Sequence, residues 1–236
     1  MPKKKHHSDD DEKPWNEQQW EEFMKRSDLR SARYGELLET LMDDPQREQK
    51  IAHEMGWDIE DDEPEEGDFD ATEFMNQIAE EVEAENQAKR DAGIDPIEEW
   101  DREREKEEQA IPAYAHVNRV GNRVIELYKP YNKDDAPKQD EEDEELLGQA
   151  FINIQIAGAK IIGGHGMGYE DDVICGNIVN CKRALEAAEL GVEAWTSLRN
   201  KSFFSKEDVE EMIAGHVEAV RLINERIAEL RKKVWW

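Results

Sequence analysis

A chain of 236 residues with a formal charge of −28 and 37% hydrophobic residues can form one large domain or two small ones around a real core. Such a charge repels nucleic-acid phosphate and anionic lipid, so neither is an expected partner. The charge is uneven: residues 1–145 hold 46 of the 59 acids and 20 of the 31 bases, while 146–236 hold 13 acids and 11 bases.

MPKKKHH at the start is followed at once by SDDDE, and residues 1–13 read as a disordered solubilising tail. Residues 14–68 read as an acidic helical segment. A first helix over about 15–42 carries Trp20, Phe23, Met24, Leu37, Leu38 and Leu41, and Asp44-Pro45 opens a short second one that ends at Gly56. DIEDDEPEEGD (58–68) is a linker. Residues 69–111 read as two charged helices. Asp70 and Glu73 start one with a capping-box-like pair, Phe74, Ile78 and Val82 line it, and Gly93 stops it. Asp95-Pro96 opens the other, whose apolar stripe is little more than Ile97 and Trp100.

Residues 112–236 carry the strongest periodicity. Pro112 opens a helix with Ala113, Val117, Val120, Val124 and Leu127 on one face. After the linker KPYNKDDAPKQDEEDEE, a second helix over 146–162 repeats the rhythm with Leu147, Ala150, Ile154, Ala157 and Ile161. INIQI alternates like a strand, yet the whole stretch fits the 3.6-residue period and is read as helix. A third helix over about 171–199 carries Ile174, Ile178, Cys181, Leu185, Ala188, Val192 and Trp195. Ser205 starts a fourth with Val209, Ile213, His216, Val220, Ile223, Ile227, Leu230 and Val234. The fold expected is all-α: an antiparallel four-helix bundle core with additional short N-terminal helices.

Between the second and third of these helices lies GGHGMGYEDD (163–172). It lacks GK[ST], no strand precedes it, and Glu170, Asp171 and Asp172 crowd the helix end that an anion would need. It reads as a corner whose glycines end one helix in left-handed conformations, with His165 as an isolated histidine. Cys175 and Cys181 lie six apart on one helix, pointing in different directions, so neither a disulfide nor a metal or redox pair is expected. No apolar run approaches the roughly 20 residues of a membrane span. The N-terminus shows no apolar signal-peptide region, and a cytoplasmic location is expected.

One constellation could carry chemistry. His216 sits on an otherwise aliphatic seam. An antiparallel hairpin turning near 202–203 brings Glu189 opposite it, with Glu186 one turn away and Glu145 at a similar level. Carboxylates and an imidazole at one height of a bundle are the raw material of a divalent-metal site. No helix, however, carries the Glu-x-x-His pair of ferritin-like sites. Glu186-Ala-Ala-Glu189, with acids at 207–211, resembles the paired carboxylates that hold magnesium in all-α nucleotide pyrophosphohydrolases. That likeness is confined to two short acidic patterns in a glutamate-rich chain, and no family assignment follows.

No nucleophile constellation or GxSxG is present. His216 is read as a core histidine, His116 as structural, and Trp235 and Trp236 as closing the bundle. The expected role is a non-catalytic interaction or scaffold module without a cofactor. Its acidic half would meet a protein partner with a basic surface, and self-association is left open. The alternative is a metal-binding bundle or metal-dependent hydrolase using His216, Glu186, Glu189 and Glu145.

Overall fold

A computed structural model describes residues 13–57, 71–131 and 140–236, with the side chains of 71–74 outside the description. The expected 58–68 linker and the Asp70–Glu73 capping pair lie outside the described residues. All regular structure within them is α-helical: α1 Glu17–Thr40, α2 Arg47–Met55, α3 Ala71–Asp91, α4 Pro96–Gln109, α5 Pro112–Tyr128, α6 Glu141–Met167, α7 Ile174–Leu198 and α8 Lys206–Arg231. INIQI is helical, as its surroundings required.

Local capping chemistry sets several of these boundaries. Asp95 Oδ1 accepts from the backbone N–H of Ile97 and Glu98, at 2.9 and 3.3 Å, just ahead of Pro96. Ser205 Oγ accepts from Asp208 N at 3.1 Å and donates to the Asp208 carboxylate at 2.6 Å. Gly56 and Gly93 follow α2 and α3 in the left-handed region, at φ 67° and 77°. Before α2, Asp44 accepts from Gln46 N at 2.8 Å, but the helix itself begins only at Arg47.

The chain divides into two compact units: Met1–Glu22 with Glu107–Trp236, and Phe23–Lys106. In the first, α6 packs on α7, α7 on α8, and α5 on both α6 and α8. Contacting residues rise in number along one helix as they fall along its neighbour. Tyr128 bonds the Leu147 carbonyl while Val117 faces Gly158. Arg199 pairs with Glu210 while Gly191 faces His216. The core is built from Val117, Val120 and Val124 of α5, and Ala150, Ile154, Ala157 and Ile161 of α6. Ile178, Ala184, Ala188 and Trp195 of α7 join Met212, Ala219, Ile223 and Ile227 of α8.

Two details depart from the sequence expectation. The α8 seam runs through Met212 and Ala219, leaving Ile213 and Val220 half-buried. α6 is longer than expected at both ends. Asp140 caps it by accepting from Asp143 N at 2.9 Å, and Glu141 to Glu144 complement the positive end of its dipole, so part of the expected linker is helix. At the far end α6 continues through Gly163, Gly164 and Gly166. A Cβ on Gly164 would lie 2.8 Å from Asn177 Oδ1 and 3.0 Å from the Asn177 carbonyl, so the missing side chain lets α7 approach. Only Gly168, at φ 107°, takes a positive φ in the corner. By length and composition α6 could cross a membrane, the one such helix among the described residues, although no span was expected. Its inner face nevertheless lies in the protein core.

The first turns of α1 also belong to this unit. Glu17 pairs with Arg231 at 2.7 Å and Lys182 at 3.6 Å, and Arg231 holds the Glu17 carboxyl below the usual carboxylate range. Trp20 packs against Gly176, where a Cβ would lie 3.0 Å from its ring.

In the second unit, Leu37 of α1 and Ile51 of α2 are buried, and Tyr34 packs on Trp57 with ring centroids 5.4 Å apart. α3 and α4 are tied by the Lys89–Glu99 ion pair at 3.2 Å. Neither contributes a buried residue among those described.

Candidate functional site

His216 occupies the centre of the bundle with no exposed surface. Its Nδ1–H donates to the Met212 carbonyl at 2.7 Å, one turn back on α8. A carbonyl can only accept, so this bond fixes the neutral tautomer and leaves Nε2 as a bare acceptor. That nitrogen is buried without a hydrogen-bond partner. The ring fits the notch at Gly191 of α7, where a Cβ would lie 2.7 Å from Nε2. Trp195 flanks it, with centroids 6.4 Å apart.

Three carboxylates would have to join it in the metal-binding alternative. Glu186, Glu189 and Glu145 are all exposed, and Glu145 accepts instead from the Gln149 side chain at 3.2 Å. Among the described residues no group of three His, Cys, Asp or Glu side chains is placed to hold a metal ion. The physical reason is register. Gly191 and Ala188 turn inward where a ligand would be needed, and the glutamates fall on the opposite face of α7. His116 on α5 donates from Nε2 to the Gly215 carbonyl at 2.8 Å while Arg119 approaches its Nδ1 at 2.7 Å, a link between helices.

Burial pushes the His216 imidazole below its ordinary value of 6.5, with the nearby His116 acting in the same direction. Above about pH 6.5 the residue is neutral folded and unfolded alike, and nothing is lost. As pH falls below that, the unfolded chain takes up a proton that the folded protein refuses, so stability declines until the lowered folded value is reached. The expected slope approaches about 1.4 kcal/mol per pH unit. Urea unfolding of wild type and His216→Gln between pH 7.5 and 5 isolates it from the carboxylates common to both. Parallel stability curves for the two would contradict this assignment.

Neither cysteine is poised as a nucleophile. Both are buried and free, and burial raises both thiols above their ordinary values. The corner after α6 is more consequential than the sequence implied. Arg226 of α8 donates to the Tyr169 hydroxyl at 3.1 Å, and that hydroxyl lies 2.8 Å from His165 Nδ1. Lys233 Nζ stands 4.7 Å above the Tyr169 ring. These side chains line a cleft of about 440 Å³ with Ile111, Leu230, Glu107 and Glu229. Glu170 accepts from the Tyr169 backbone N–H at 2.9 Å, and Asp171 accepts from the Trp235 indole at 2.7 Å. None of the corner's acids lies in the first turn of α7. Trp235 is therefore tethered to the bundle, though 75% of it is exposed.

His165, read as a corner histidine, lies in the last turn of α6; its contact with Tyr169, and the bond from Arg226 to that tyrosine, were not legible. The one local signal was an arginine at 226 wedged between the seam residues Ile223 and Ile227. The class these observations define is an all-α protein with a packed helical bundle. Comparison with protein-family models, curated proteins and solved structures finds no match.

Proposed function

We propose that this chain is a non-catalytic interaction or scaffold module, and that α3 and α4 dock a protein partner with a basic surface. The observation supporting this reading is the apolar surface these two helices leave open. Met75, Val82, Ile97 and Trp100 are 61, 50, 72 and 58% exposed. Residues 71–109 around them carry 14 acids and 5 bases. Two helices with so little burial gain little from packing, and a partner surface would supply what they lack. Exposed Trp and Ile would serve as anchors, while the surrounding carboxylates steer a cationic surface and set orientation.

The test is affinity capture with the full chain and with an Ile97→Ala/Trp100→Ala variant, at low and high salt. The double variant is expected to weaken capture of a basic protein about thirtyfold or more, and wild-type binding should fall as salt rises. Capture unchanged by both the substitutions and the salt would refute the proposal.

A further inference from the structure

The structure assigns a small-oxyanion binding site, for an organic carboxylate or a phosphate, to the cleft formed by His165, Tyr169, Arg226 and Lys233. Acids outnumber bases 59 to 31 in this chain, so carboxylates are abundant partners for its cations. Neighbouring arginines on α8 take them. Arg221 pairs with Glu218 and Glu225, at 2.6 and 2.5 Å, and Arg231 pairs with Glu17.

Arg226 does not. Half-buried between Ile223 and Ile227, it meets, among the described residues, the Tyr169 hydroxyl and the Cys181 thiol, both neutral groups. Its Nε is buried without an acceptor. A guanidinium carries five donors and no acceptor, and a half-buried one is stabilised by an anion that takes them in pairs. Lys233 brings a second cation over the same tyrosine ring, also without an ion-pair partner among the described residues.

The hydrogen-bond order fits this role. Arg226 donates to the Tyr169 hydroxyl, which also lies 2.8 Å from His165 Nδ1, so the three side chains form one hydrogen-bonded chain along the cleft. The cleft thus offers cationic and N–H donors with apolar walls from Ile111 and Leu230. Glu107 and Glu229 also line it, and both are exposed. They narrow the choice to a compact anion that reaches past them. The −28 charge of the molecule makes this a site that discriminates by geometry, since bulk electrostatics oppose any anion.

The test is thermal unfolding and titration calorimetry of the full chain with inorganic phosphate and, separately, succinate, each against sodium chloride at the same ionic strength. The chloride arm removes the general stabilisation that screening gives so acidic a protein. A saturable rise in Tm above the chloride curve is expected with at least one of the two. Response to phosphate alone identifies a phosphate site, and response to succinate alone a carboxylate site. Lys233→Gln, at an exposed position that leaves the fold intact, should weaken the apparent Kd about tenfold, and Arg226→Gln should weaken it further. No rise beyond chloride, or the same rise in wild type and Lys233→Gln, overturns the assignment.

Discussion

Trp195→Ala is expected to lower the stability of the bundle by about 3–5 kcal/mol, the range for removing a large aromatic side chain from a core. Trp195 has no exposed surface. Its ring packs on Phe204 and Tyr128, with centroids 5.1 and 6.4 Å away. Its Nε1–H donates to the Ala150 carbonyl of α6 at 3.0 Å. The residue therefore joins α5, α6, α7 and the turn before α8 through one ring, and truncation leaves a void that four elements must close. Trp195→Phe keeps most of the apolar surface and loses the bond to Ala150, so a smaller loss of about 1–2 kcal/mol is expected. Urea unfolding followed by circular dichroism measures both. A loss under 1 kcal/mol for Trp195→Ala would mean that the ring is not the keystone described.

Gly191→Ala is the second large effect, and its sign is opposite to what helix propensity suggests. Alanine in a helix interior is favoured over glycine by about 1 kcal/mol. Here the new methyl would fall 2.7 Å from His216 Nε2. The ring has no free space into which to move, because Met212 holds its Nδ1 and Trp195 lies alongside. A net loss of about 1–3 kcal/mol is expected from overpacking. Because the clash is with one side chain, His216→Ala in the same chain should relieve it. The double-mutant cycle should give a coupling of about 1–3 kcal/mol between the two sites. A Gly191→Ala variant as stable as wild type would show that the histidine has another place to go.

These two substitutions mark how far sequence reasoning reached. Trp195 on an apolar seam was legible from spacing alone, as were Ile154, Ile178 and Ile223, because a 3.6-residue rhythm places them without reference to any partner helix. The partner of His216 was not legible. Hairpin reflection put Glu189 opposite it; the structure puts Gly191 there, two residues away and about 200° around the helix. An error that small in register exchanges an ion ligand for a notch.

The amino-acid sequence alone thus specifies the local structure. It set the all-helical content and the starts of α4 and α8 at Asp95 and Ser205. It also set the stops at Gly56 and Gly93, since capping and left-handed glycine conformations depend only on a few neighbouring residues. Tertiary structure decided what each polar side chain meets. It carried α6 through its glycines because α7 needs the space at Gly164, joined the first turns of α1 to the bundle through Glu17 and Trp20, and left Glu145, Glu186 and Glu189 in solvent. It also brought Arg226 to Tyr169, 57 residues earlier in the chain. The physical reason is that an apolar stripe tolerates a rotation of a few tens of degrees, whereas a hydrogen bond or a ligand does not. Periodicity specifies which face of a helix is buried, and only packing specifies which atoms touch.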